Sequence, residues 1–150
     1  MPSEMVNKWL HNIAVGLLVF GTALVLFALV AFFGPFMESR HLPVVSSVKI
    51  EEIKRVGDRL EFSMYGTKSR PCKLIEANVM VLIHKRWVLA DITVDGSPIQ
   101  QRTRPVGEQS FGRWSVYPIG TSARVIALHD CHPLWNTLTV LAEFNTRVEM

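Results

Sequence analysis

Residues 13–33 read IAVGLLVFGTALVLFALVAFF, twenty-one positions without a charge and with Thr22 as the only polar side chain. At about 1.5 Å of rise per residue, the run makes about 31 Å of helix, which matches the roughly 30 Å of hydrocarbon in a bilayer. It carries much of the apolar excess of the chain, which is 49% hydrophobic over 150 residues. With the run set aside, the rest is an ordinary polar sequence. These residues are expected to form one membrane-spanning helix.

A cleaved signal peptide is the competing reading. Apolar cores of signal peptides run roughly 7–15 residues and end at a small-x-small site. This run is longer, and the stretch from Ala28 through Ala31 to Phe33, Gly34 and Pro35 lacks such a site. Retention as an anchor follows. Trp9 precedes the run as an interfacial aromatic, and Gly34-Pro35 is expected to end the helix, because proline cannot continue the hydrogen-bond ladder.

Outward from the span, residues 1–12 form a short polar lead and residues 34–43 a stalk marked by Pro35 and Pro43. From residue 44 to 150 the pattern changes from continuous apolar to period two, the signature of half-buried strands. Leu60, Phe62 and Met64 alternate with Arg59, Glu61 and Ser63 after a Gly57-Asp58 turn. Val79, Val81 and Ile83 alternate next, with a phase change near Glu76 that suggests a bulge. Val88, Ala90, Ile92 and Val94 make one strand closed by Asp95-Gly96, a strong turn signal. Trp114 and Val116 mark another, Ala123, Val125 and Ala127 another, and Leu138, Val140, Ala142 and Phe144 the last. With a strand over residues 44–50, about seven are expected. Seven short strands with regular turns indicate an all-β sandwich or barrel.

Charge is interspersed. Beyond residue 37, fifteen Lys and Arg face twelve Asp and Glu, a net +3. This is a solvated surface with mild attraction for anionic lipid, and no nucleic-acid footprint stands out. The positive-inside rule does not decide orientation, since Lys8 on one flank is matched by Arg40 on the other. Orientation therefore rests on Cys72 and Cys131, both beyond the helix and not in a C-x-x-C pair. Read as one structural disulfide, they imply an oxidising compartment, and the alternative is two buried thiols in a reducing one. The disulfide would close a loop of about sixty residues and stabilise by roughly 3–5 kcal/mol in the chain-entropy treatment. It places the N-terminus in the cytoplasm and the β domain on the periplasmic side of an inner membrane.

Cys72, Trp87 and Cys131 together resemble the Cys–Trp–Cys spacing of immunoglobulin domains, over residues 60–145. The resemblance implies an immunoglobulin-like sandwich with a tryptophan packed on an inter-sheet disulfide. The chain departs from that pattern at His129, where such domains carry tyrosine, and Cys131 precedes His132-Pro133. The layout, with its Lys68-x-Arg70-x-Cys72 run, also resembles small phage- or prophage-encoded single-span membrane proteins of unknown role. Neither resemblance implies an activity.

Few residues suggest chemistry. His129, Cys131 and His132 are ligand types for copper or zinc, but along a strand His132 faces away from the other two, and a disulfide removes the thiolate. The bland reading is polar residues at a strand end. No G-x-S-x-G motif, glycine-rich phosphate loop or paired carboxylates occur, so neither an enzyme nor a cofactor is expected. The polar stretch over residues 97–112 holds Arg102, Arg104 and Phe111, with Arg113 and Trp114 just beyond. Arginine beside aromatics on a scaffolded loop is the composition of a binding hot spot, and equally of a solvated connection. In the helix, Ala14, Gly21 and Ala28 recur every seven residues and put small side chains on one stripe, where another membrane helix could approach closely. The expected partners are the bilayer and other membrane subunits. The expected role is a non-catalytic accessory, assembly or structural subunit. Its rivals are a metal or redox domain and a phage envelope protein.

Overall fold

A computed structural model describes residues 2–95 and 104–146. The chain divides into two compact units, Met1–Phe36 and Met37–Met150. The described residues of the first belong to α1, Pro2–His41, a 40-residue helix. It is long and apolar enough to cross a membrane, and none of its most apolar window is buried.

The helix outruns the expected stalk. Residues 34–41 are helical, and Pro35 sits inside the helix. Proline deletes one i→i−4 bond, which a long helix survives, so Gly34-Pro35 does not terminate it. Pro43 does. The residue before a proline disfavours helical dihedrals, and that residue, Leu42, makes the closing bond from its N to the Glu38 carbonyl at 2.8 Å. Arg40 and His41 occupy the last turn, where positive charge complements the helix dipole.

The second unit holds eight antiparallel strands among the described residues. They are β1 Val45–Val56, β2 Arg59–Lys68, β3 Lys73–Ile83, β4 Arg86–Leu89, β5 Asp91–Asp95, β6 Gly107–Tyr117, β7 Ser122–Asp130 and β8 Asn136–Asn145. They form two four-stranded sheets, ordered β1-β2-β6-β5 and β4-β3-β7-β8. Leu60, Phe62, Met64, Trp114 and Val116 from the first sheet meet Val79, Val81, Ala123 and Val125 from the second in one core. Phe62 stacks on Trp114 with ring centroids 6.2 Å apart and meets Phe144 edge-on at 5.0 Å. Gly57 turns β1 into β2 at φ 62°, a conformation that favours glycine.

Eight strands replace the expected seven because the run over residues 88–94 is not one strand. It divides at buried Ala90, and its two parts belong to different sheets. The Ala90 N–H still reaches the Val79 carbonyl at 2.9 Å, so the chain crosses between sheets without losing that bond. Part of the expected loop over residues 97–112 is strand as well. β6 starts at Gly107, and its polar first half pairs with β2 through Glu108–Thr67 and Gln109–Gly66.

The immunoglobulin details differ too. Trp87 lies on the edge strand β4, half-buried beneath the Arg124 guanidinium 4.4 Å from its ring centroid. The core tryptophan is Trp114, 3% exposed. Cys72 precedes β3 and Cys131 follows β7, and these strands are neighbours in one sheet, where Lys73 pairs with Asp130. The cysteines therefore extend a ladder within a sheet and do not bridge two sheets. Their Cα atoms are 4.7 Å apart, at disulfide-bond distance.

The last strand begins inside out. Leu138 and Val140, half of its expected apolar set, are 51% and 54% exposed, whereas Thr137 and Thr139 are buried. A register shift opposite Val125 and Ile126 changes the phase, so that Phe144 and Leu141 pack on the core further along.

Candidate functional site

Five buried polar groups of the second unit, Glu38, Lys68, His129, Thr137 and Thr139, gather toward one end of the sandwich. The densest cluster surrounds Glu38, in the final helical turn and 8% exposed. Its Oε1 accepts from Arg70 Nη1 at 2.5 Å. Its Oε2 accepts from Trp135 Nε1 at 2.7 Å and from Thr137 Oγ1 at 2.8 Å. The Arg70 guanidinium also donates to the Leu42 carbonyl at 3.2 Å. A buried carboxylate is tolerated when its lone pairs are filled by charged and neutral donors together, and Glu38 has both. His132 stacks on Trp135 with centroids 4.0 Å apart, and its Nδ1 accepts from the Leu134 N–H at 3.2 Å. Val44, Val45 and Cys72 form a small apolar cluster of their own, with Cys131 packed against it. This arrangement orders the turn between β7 and β8 against the residues that open the β unit. It is a structural clamp, and its chemistry is acceptance of hydrogen bonds.

A second group lies between the sheets. Lys68 ends β2 and is 5% exposed, and its Nζ donates to the Arg104 carbonyl at 2.7 Å. Burial and the Arg104 charge both lower the Lys68 pKa. Burial lowers that of Arg104. His129 on β7 is 4% exposed, and burial followed by the Lys68 charge pushes its pKa down to about 4. The inward row of β7 thus ends in a neutral imidazole at pH 7.

That shift gives a pH dependence. In the unfolded chain the imidazole takes a proton near pH 6.5, and in the fold near 4. Between those values the unfolded state binds more protons, so stability is complete above about 6.5 and is lost as pH falls toward 4. The loss attributable to His129 is up to about 3 kcal/mol. Urea midpoints at pH 7 and pH 4.5 measure it. His129→Leu should flatten the profile, and an unchanged acid limb in that variant would refute the assignment.

The residues singled out by sequence separate. Arg104 and Phe111 come together: the guanidinium sits 5.6 Å from the ring centroid and also donates to the Ser110 carbonyl. Arg113 stands apart, exposed and paired with Glu52 at 3.4 Å. Arg102 lies outside the described residues. His129 faces between the sheets and His132 stacks on Trp135. Among the described residues, no three His, Cys, Asp or Glu side chains gather as a metal ion needs. Ala14 and Ala28 are exposed on α1, and a side chain added at Gly21 would meet no atom within 4 Å.

Glu38, Arg70, Trp135, Thr137 and Lys68 carry no mark of a polar centre in the sequence. Glu38 and Thr137 are 99 positions apart, and no local spacing announces such a pairing. Thr137 and Thr139 do carry a faint signal, as β-branched hydroxyl residues in alternation at the start of a strand. No family model, curated protein or solved structure matches this chain.

Proposed function

We propose that this protein is a non-catalytic, membrane-anchored accessory or assembly subunit of a membrane protein complex. In this reading the helix sits in an inner membrane with its N-terminus in the cytoplasm. The β domain lies on the periplasmic side and contacts the extramembrane surface of a partner. The observation that carries the reading is the exposure of α1. Leu17, Leu18 and Phe20 are 67%, 71% and 63% exposed, as are large apolar side chains along the whole run. Such a surface requires lipid or another helix to cover it.

The Ala14, Gly21 and Ala28 stripe suggests where a helix would meet it. Lipid tails are as apolar as leucine, so helices associate in membranes through close packing across small residues. Gly21→Leu keeps the hydropathy needed for insertion but holds a partner backbone away. Co-purification after mild detergent extraction should fall about tenfold in Gly21→Leu, with membrane insertion intact. Leu→Ile at Leu17 or Leu26 should matter less. Unchanged association would remove the helix as the docking element.

A further inference from the structure

We infer that the end of the sandwich between β2, β7 and β8 binds a small anion, held by Lys68, His129 and Thr139. Lys68 and His129 extend inward from facing sheets. Thr139 is the diagonal cross-strand neighbour of His129, which pairs directly with Thr137. All three side chains are more than nine-tenths buried, at 5%, 4% and 3% exposure.

Three features point to negative charge. The first is the balance of charge: four ion pairs occur among the described residues, between Lys54 and Glu61, Arg70 and Glu38, Arg113 and Glu52, and Arg124 and Glu143. Lys68 enters none of them, and its one hydrogen-bond acceptor among the described residues is the neutral Arg104 carbonyl. Buried charges are otherwise paired, because desolvating an ammonium against neutral dipoles alone is costly. The second is the company it keeps. The Arg104 charge acts on Lys68 and the Lys68 charge on His129, so basic groups cluster here, while the Glu38 carboxylate on neighbouring Thr137 is already paired with Arg70. The third is a pair of unused polar atoms. His129 Nδ1 and Thr139 Oγ1 are buried without a hydrogen-bond partner among the described residues. Native structures leave very few such atoms unexplained, and both can act as donors. A buried ammonium whose charge reaches the His129 ring, an imidazole N–H and a hydroxyl on the diagonally neighbouring residue together suit an oxyanion. The chemistry is that of a phosphate group, free in solution or at the head of a lipid.

The test uses the full chain in two arms. In the first, protein in a non-ionic maltoside is titrated with inorganic phosphate, and the His129 ring resonances and thermal midpoint are followed. In the second, protein in phosphate-free buffer is moved from maltoside into nanodiscs that contain phosphatidylglycerol. A saturable His129 shift with a rising midpoint in the first arm assigns free phosphate. The same response in the second arm alone assigns a lipid headgroup. In either case Lys68→Met should weaken the response at least tenfold. Because it removes an unpaired buried charge, that variant should stay folded and melt no lower than wild type in phosphate-free maltoside. A folded wild-type protein whose His129 resonances move in neither arm overturns the site and leaves an internal water to bridge the two atoms. So does a response that Lys68→Met leaves intact.

Discussion

Glu38→Ala should destabilise the β unit by about 3–5 kcal/mol, the range for removing one partner of a buried, hydrogen-bonded ion pair. The loss arises in three places at once. Arg70, whose side chain is 28% exposed, keeps some access to water and recovers part of its hydration. Thr137 has none, because it is fully buried, and its hydroxyl loses its acceptor. The Trp135 indole N–H loses its acceptor too, which frees the stack with His132. Glu38→Gln should cost less, since an amide oxygen can still accept from Trp135 or Thr137 and only the charge is lost. Denaturant unfolding followed by tryptophan emission measures both variants. The expected order is wild type, Gln, then Ala, with a red-shifted native spectrum in Ala as Trp135 gains water. If Glu38→Ala unfolds at the wild-type midpoint, the four-residue cluster is a surface contact and no clamp.

How much of this is legible depends on how far apart the interacting residues lie in the chain. The long apolar helix and the strand alternation are local properties, set by residues within a few positions of each other, and both are readable. The Gly57-Asp58 hairpin is readable for the same reason. The phase of β8 is not. Leu138 and Val140 look like a core stripe until the register shift and the demand of Glu38 for the Thr137 hydroxyl turn the threonine face inward. Ala90 misleads in the opposite way, because perfect alternation across Val88, Ala90 and Ile92 conceals a change of sheet. The helix end illustrates a third limit. Pro35 removes one hydrogen bond locally, but the final turn is held by Arg70, Trp135 and Thr137, residues that no reading of positions 34–43 can supply. Polar clusters assembled from four elements leave almost no trace in linear spacing.

The pairing of Cys72 with Cys131 is legible from composition, but its place in the fold is not, and the place determines what its loss should do. The cysteines stand 59 positions apart. In the chain-entropy treatment, opening a loop of that length removes about 4 kcal/mol. A bridge between two sheets would take their mutual packing with it. Here the pair extends the β3–β7 ladder one step beyond Lys73 and Asp130, so the large core around Phe62 and Trp114 does not depend on it. What depends on it is the end that holds Val44, Val45, the Glu38 cluster and the turn carrying Trp135. Cys72→Ala with Cys131→Ala should therefore lose about 4 kcal/mol, with amide exchange accelerating first in residues 131–137 and last in β2 and β6. Reduction of the wild-type protein should reproduce the loss. Native protein mapped by mass spectrometry under non-reducing conditions should show the two cysteine peptides linked. Free thiols in protein taken from the cell would reverse the proposed orientation, because a reducing compartment would then surround the β domain. Uniformly fast exchange in the double variant would instead mean that the bridge supports the whole sandwich, against its position within one sheet.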